Sequence, residues 1–282
     1  MAEPPADWPS LVCPACRRIV EGRLEQRRLQ PHPAGLRCPG CAVIYPAVDG
    51  VPVVLTDVDG WLAEEAASLV CRRDLPPAVL GRIAQGAGGV LWRDLERRAI
   101  AAASPDSPLW QWVRQILASI DGRIVELGCG TGRHGDARVL GIDLHWDSLR
   151  AYPGPCLVAD ALDPPLPGHC CDAVLAINLL DSCRDPGLLL QQALALLAPG
   201  GCLVMASPLH WQRAVTAPDR WLTAEFVTEW LRGQGLEVSV GVEEWVLQVG
   251  PHSRTIHQCH TWLARHRPPA PEHRRNSGAV GR

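Results

Sequence analysis

Two sets of residues in this chain have the types and the spacing to do chemistry. The first runs Val125-Glu126-Leu127-Gly128-Cys129-Gly130-Thr131-Gly132 and is followed by Leu140-Gly141-Ile142-Asp143. An apolar run closed by an acid, three glycines at alternate positions and a second apolar run closed by an acid outline a strand, a tight turn, a helix and a second strand. Glycine is required where the backbone turns sharply and a ligand approaches closer than a Cβ allows. The acid ending the second strand stands where it can accept both hydroxyls of a ribose. This is the outline of a nucleotide-type cofactor site. A dinucleotide site spaces its glycines G-x-G-x-x-G, because a pyrophosphate lies on the helix N-terminus; here the pattern is E-x-G-x-G-x-G. The second set is Cys13-Pro14-Ala15-Cys16 and Cys38-Pro39-Gly40-Cys41. Each pair points two thiolates at one ion, and four such sulfurs make a closed tetrahedral site of the structural kind. Structural Zn2+ is the expected ion, with iron left open by the spacing.

The E-x-G-x-G-x-G turn resembles the first motif of class I S-adenosylmethionine-dependent methyltransferases. That resemblance implies an α/β, Rossmann-like seven-stranded sheet and S-adenosyl-L-methionine as cofactor. It puts the cofactor on Glu126, Gly128, Cys129, Gly130 and Gly132, with Glu126 near the methionine amino group. Asp143 then takes the ribose, Leu144 packs on the adenine face, and Asp160 and Ala161 meet the adenine edge with a carboxylate and a backbone N–H. Asn178, closing the fourth strand at the cofactor, corresponds to the residue that accepts a hydrogen bond from the nucleophilic nitrogen in related amino-group methyltransferases; its alternative role is to tie down its loop. Asp181 is a candidate general base or a solvated helix cap. His210, with His257 and His260, is a candidate acid-base group because imidazole titrates near neutrality; the alternative is a surface or packing histidine.

Two further resemblances concern the ends of the chain. Residues 11–55, with both Cys pairs and the phrase Tyr45-Pro46-Ala47-Val48-Asp49-Gly50-Val51-Pro52, resemble the small zinc-binding activator protein of tRNA and translation-factor methyltransferases. Zinc ribbons also precede some rRNA guanine methyltransferases. Asn178-Leu179-Leu180-Asp181, Ser207-Pro208-Leu209-His210-Trp211, Thr216 to Leu222 and the stretch from Arg254 to His260 are similar to the methyltransferase domain of ovothiol biosynthesis. That likeness implies a small, polar, nitrogen- or sulfur-bearing substrate.

The elements that must position these residues follow from the hydropathy pattern. From Gly122 onward short apolar runs alternate with helical ones, the mark of a parallel α/β sheet. Strands are expected near Arg123–Leu127, Val139–Ile142, Cys156–Val158, Ala173–Ile177 and Cys202–Ala206, and a helix over Pro186–Leu197. A helix over Thr223–Arg232 precedes two more strands, near Glu237–Val249 and Thr255–Ala264. Leu196 to Gly201 looks like the turn before the fifth strand. Asp49-Gly50 between apolar runs signals a hairpin. The expected organisation is a zinc ribbon over 1–57, a helical connector or lid over 58–119, the methyltransferase domain over 120–266 and a disordered, Pro- and Arg-rich tail over 267–282. Only residues 133–141 lie between Gly132 and Ile142. At about 1.5 Å of rise per residue, the loop around Arg133, His134 and Gly135 can form little more than one turn where a full helix is usual.

Composition sets the outer bounds. The chain has 282 residues, 47% of them hydrophobic, and a formal net charge of -3, which is no basic footprint for nucleic acid. All 27 basic residues are Arg, so a lysine base or Schiff base is excluded. With no signal-like segment and no apolar run long enough to span a bilayer, the chain reads as soluble and cytoplasmic, its 12 Cys held as thiols or on metal. The leading expectation is an enzyme, a methyltransferase acting on a small molecule, with no membrane partner. One alternative is an RNA or protein methyltransferase whose zinc unit docks a macromolecule through Arg17-Arg18, Arg23, Arg27-Arg28 and Arg37. The other is a noncatalytic binding module that keeps the fold.

Overall fold

The computed structural model describes residues 11–20, 23–48, 50–69, 104–213, 215–250 and 252–266. Strands β7 (Ile124–Leu127) and β8 (Val139–Asp143) are buried at every residue. Such strands, covered on both faces, are the centre of a parallel sheet. With β9 (Cys156–Val158), β10 (Cys171–Ile177) and β11 (Leu197–Ser207) they form its parallel part, and β12 (Leu236–Gly250) and β13 (Ser253–His266) close it, in the order β12-β13-β11-β10-β7-β8-β9. β13 runs antiparallel to β11, and β12 antiparallel to β13.

Alternation along the strands sorts two cores. Val125, Leu140, Val174 and Leu203 face one cluster, and Ile124, Val139, Ala173 and Val204 face the other. Helix α1 (Val58–Leu69) packs on the first face, and α2 (Pro108–Leu117) buries Leu109, Trp110, Val113, Ile116 and Leu117 on the second. That spacing makes one helical stripe. A short helix, α3 (Trp146–Leu149), follows β8. Helix α4 (Pro186–Leu196) starts with Pro at its first turn and Asp185 accepting from Leu188 N–H, and α5 (Ala224–Gly233) starts with Thr223 accepting from Phe226 N–H. Both are side-chain caps on otherwise orphaned amides.

The expected strands and helices fall where the pattern puts them, with three refinements. No helix separates β7 from β8: residues 131–138 are turns. The turn expected before the fifth strand is a bulge inside β11, where pairing jumps from Cys171↔Leu197 to Ala173↔Cys202 and Gly200 takes φ +83°. Only α1 and α2 of the helical connector are described; Trp92, Gly86 to Gly89 and the tail over 267–282 lie outside the described residues.

Residues 11–55 form a hairpin, β1 (Arg18–Val20) with β2 (Arg23–Glu25), and a four-stranded antiparallel sheet of β3 (Gln30–His32), β4 (Gly35–Arg37), β5 (Ile44–Val48) and β6 (Val51–Pro52). The β5–β6 pair is the hairpin that Asp49-Gly50 signals. This sheet does not stand apart from the larger one. Val53 bridges Val158 of β9 in parallel, and Val54 N–H donates to Val158 O at 2.6 Å. Trp146, 1% exposed, packs in the shared core and donates Nε1–H to Val48 O at 3.2 Å. Truncating Trp146 to Ala is expected to lower stability by about 3–5 kcal/mol, read as a lower urea midpoint. A change under about 1 kcal/mol would contradict a continuous core.

Candidate functional site

The turn after β7 has the backbone its glycines permit. Gly128, Gly130 and Gly132 take φ of +67°, +52° and +64°, the left-handed region where a Cβ is strained. A Cβ at Gly128 would stand 2.6 Å from Leu179, so the ends of β7 and β10 meet across this turn. Asp143 closes β8; its Oδ2 accepts from Gly130 N–H at 2.7 Å and its Oδ1 from His145 N–H at 2.8 Å. A carboxylate has about four lone-pair sites. Two are therefore left for a vicinal diol such as ribose. Cys129 points inward, 5% exposed, and burial raises its thiol well above the usual range, so only its backbone is available to a ligand.

Glu126 behaves differently from the other acids. Its side chain is 1% exposed, and His134 Nε2 stands 3.0 Å from Oε2. Asp136 N–H donates to His134 Nδ1 at 2.9 Å, which fixes the proton on Nε2, facing Glu126 and the hydroxyl of Tyr152 at 3.2 Å. Burial raises the Glu126 carboxyl despite His134, while Glu126 raises His134 against burial. Because a protonated Nδ1 could not accept from Asp136, the ring is held as the Nε2–H tautomer, in contact with Glu126 Oε2 and Tyr152. His134 reads from sequence as a loop residue; the structure buries it under the turn.

Around the expected adenine end, Asp160 Oδ1 accepts from Leu162 N–H at 2.9 Å and Oδ2 from Arg184 at 2.7 Å. Leu144 and Asp160 line a cleft of about 470 Å³ whose opposite wall is Thr56, Asp57 and Trp61. Ala161 is buried beside it. The expected adenosyl end thus offers a part-free carboxylate at Asp143 and a cleft of mixed lining, with Leu144, Val54 and Leu55 beside Asp57, Asp160 and Arg184. Glu126 does not open onto that end.

At the end of β10 the structure brings together Asn178, Asp181 and His210. Asn178 takes φ +55°, a conformation asparagine tolerates better than most residues, and its N–H donates to Ala206 O at 2.7 Å. Cys259, pushed up to about 12 by burial and so a thiol, donates to Asn178 Oδ1 at 3.5 Å. Asp181 is not a solvated cap. It is 4% exposed, burial raises its carboxyl, and it accepts from Ser207 and from His210 N–H at 2.6 Å. It ties the ends of β10 and β11 together. The His210 ring is exposed and lies 5.9 Å from His257, which lies 5.3 Å from Trp245. His260 lies apart from these rings, against Trp262 at 6.0 Å. Cys259 carried no motif, because only strand pairing brings it to Asn178.

The four cysteines converge. Cys13, Cys16, Cys38 and Cys41 offer Sγ atoms all within 4.8 Å of one another, with Cys13–Cys41 at 3.7 Å and Cys16–Cys38 at 3.6 Å. A tetrahedral ion with metal–sulfur bonds of about 2.3 Å holds its sulfurs about 3.8 Å apart. Gly40 N–H donates to Cys38 Sγ at 3.3 Å and Tyr45 hydroxyl lies 3.0 Å from Cys13 Sγ. These are donors that support thiolates.

Residues 125–205 match the family model described as a methyltransferase domain. No curated protein matches the sequence. Among solved structures, the chain is similar to a methyltransferase of Thermotoga maritima described as a possible histamine N-methyltransferase, at 18% identity over 62% of this chain and 93% of that one, TM-score 0.41. It is similar also to an S-adenosylmethionine-dependent methyltransferase of Mesorhizobium loti, at 20% identity over 57% and 98%, TM-score 0.43. A third, from Archaeoglobus fulgidus, has 16% identity over 55% and 94%, TM-score 0.43. Among the described residues no helix is long and apolar enough to cross a membrane.

Burial, then the charge of His210, lower His257 below its ordinary 6.5. A lowered histidine binds fewer protons folded than unfolded, so its contribution to stability is present above pH 6.5 and lost as pH falls through the folded value. NMR titration of the His257 ring in the methyltransferase domain should give a midpoint below 6.5 that rises in His210→Gln. A midpoint at or above 6.5 would contradict the half-buried, cation-facing environment.

Proposed function

We propose that this protein transfers the methyl group of S-adenosylmethionine to a nitrogen of a small polar molecule. The single observation that carries the reading is the junction of the glycine turn with the end of β10: Leu179 lies against Gly128, and the next residue back, Asn178, meets Cys259 of the β12–β13 hairpin, the strand that also carries His257. Asp143, Leu144 and Asp160 would hold the cofactor, which when bound would supply a sulfonium methyl for in-line transfer to a substrate nitrogen, with a neutral thioether as the leaving group. The chain's task is alignment, which supplies much of the rate of an in-line displacement. Asn178 Oδ1, with one lone pair toward Cys259, has a second to accept the substrate N–H and aim the nitrogen lone pair. His257, neutral at pH 7, is suited to take the proton released, with the His210 ring beside it. Asp181 holds the loop that carries His210. The Gly128 to Gly132 backbone faces the methionine end, and Glu126 acts beneath it as the acceptor of His134.

The small-molecule reading is favoured over a macromolecular one by Arg17. Its guanidinium, 14% exposed, is bound to Asp163 at 2.8 Å and to the carbonyls of Pro164 and Leu166. The arginine nearest the metal knuckle therefore faces the protein. The four cysteines hold one structural Zn2+, and no catalytic step involves it.

Calorimetry on the intact, zinc-supplemented protein should detect S-adenosylmethionine and its demethylated product. Asp143→Ala should weaken both by about 100-fold, the worth of two hydrogen bonds to a charged group. An absence of binding at millimolar ligand would overturn the cofactor assignment, and unchanged affinity in the variant would overturn the role of Asp143. Elemental analysis should find one zinc per chain, lost in Cys38→Ser; retention of the full metal content would count against the four-sulfur site.

A further inference from the structure

The proposed cofactor cleft has two walls, and they come from opposite ends of the sequence motifs. One wall carries Leu144, Asp160 and Arg184, which follow the parallel strands; the other carries Thr56, Asp57 and Trp61, which follow the four-cysteine unit. Trp61 stands in the first turn of α1, where Asp57 accepts from Gly60 N–H at 2.8 Å and caps the helix. Its indole is 3% exposed and donates Nε1–H to Leu144 O at 2.8 Å. The carbonyl it holds belongs to the residue after Asp143.

The loop after β9 is held from the same side. Arg17, the residue after Cys16, donates to Asp163 Oδ1 and to Pro164 and Leu166 carbonyls. Val12, the residue before Cys13, donates its N–H to Pro165 O at 3.0 Å. Thr56 hydroxyl donates to Asp163 Oδ2 at 3.3 Å, and Val54 N–H donates to Val158 O. Both neighbours of the first knuckle thus grip the loop that begins with Asp160. Val12 and Arg17 directly flank the two cysteines of that knuckle, and Val12 also bridges Arg28.

We infer that the four-cysteine unit is a wall of the adenosyl site, and that metal loading at Cys13, Cys16, Cys38 and Cys41 sets the affinity for S-adenosylmethionine through Arg17 and Trp61 as positioning residues. The inference rests on the cofactor reading above. The metal orders the knuckle, the knuckle orders Val12 and Arg17, and these fix the Asp160 loop; Trp61 fixes Leu144 beside the ribose acceptor. Neither positioning residue needs to touch the reacting atoms.

Coupling between two sites is reciprocal: the factor by which metal tightens cofactor binding equals the factor by which cofactor tightens metal binding. In the full-length protein, zinc affinity measured by chelator competition should rise by about 5- to 150-fold in saturating S-adenosylmethionine. The cofactor affinity of zinc-loaded over metal-stripped protein, by calorimetry, should change by the same factor. Because stripped protein can unfold in part, Arg17→Ala serves as the second arm. It should stay folded with its zinc bound, at a lower urea midpoint because the part-buried Asp163 pair is lost, while losing cofactor affinity about tenfold, within the same coupling range, and Arg17→Lys should recover part of that loss. Trp61→Phe, which keeps the ring but not the Nε1–H donor, should weaken the cofactor in the same direction. Zinc affinity indifferent to cofactor, or unchanged cofactor affinity in Arg17→Ala and Trp61→Phe, would overturn the coupling and leave the cofactor reading standing. Zinc-loaded wild type that binds no cofactor would overturn both.

Discussion

An open parallel sheet has an edge that something must cover, and in this protein that requirement organises the rest. β9 has three residues, and among the described residues the sheet has no further strand of its own beyond it. Unpaired strand edges left bare are sites of unwanted pairing. Here Val53 and Val54, leaving the small N-terminal sheet, meet Val158, and the apolar residues around them merge the two units into one core. Once that edge is covered by a metal-organised unit, the unit's own exit, Thr56 to Trp61, comes to lie over the carboxyl ends of β8 and β9. Parallel α/β sheets bind ligands at those ends. An edge cover has in this way become a pocket wall.

A second constraint is the shortness of the chain between β7 and β8. A helix there would normally present its N-terminus to the glycine turn and bury its own apolar stripe. Turns alone do neither. The loop answers with polar groups: His134 reaches back to Glu126, its orientation held by Asp136 N–H and by Tyr152. A Cβ at Gly132 or at Gly141 would meet the Tyr152 ring within 3 Å, so the ring fills space next to the turn that a helix would otherwise occupy. A buried carboxylate is tolerable when it has a hydrogen-bonding partner. The acid of the motif therefore serves the turn from below.

The far side of the site depends on strand length. β11 ends at Ser207, paired with His260, whereas β12 and β13 continue to Gly250 and back from Ser253. The overhang passes beyond the end of β10; it brings Cys259 to Asn178 and stacks Trp245 and His257 beside His210. Ser104 N–H donates to Val246 O at 2.9 Å, so the segment leading into α2 braces the same overhang.

What could be read directly in the amino-acid order was local. The apolar runs of β7, β8 and β10, the caps Asp185 and Thr223, the glycine turn, the two cysteine pairs and the acids closing strands all express short-range rules: period, φ and ligand spacing. Those rules located the sheet, the four-sulfur cluster and Asp143, and even announced the missing helix by counting residues. They also read His134 as a loop residue and Asp181 as a general base or a solvated helix cap. Both depend on what lies across the fold, and burial turned His134 inward and left Asp181 unsolvated. The Trp61 contact with Leu144 and the Arg17 grip on the Asp160 loop join residues more than eighty positions apart. Such contacts exist only because two sheets share an edge, and no periodicity in the chain encodes them. The order of residues determined which groups could do chemistry; the meeting of the two sheets, which sets burial and so decides which polar groups keep lone pairs free, determined which of them face the cleft.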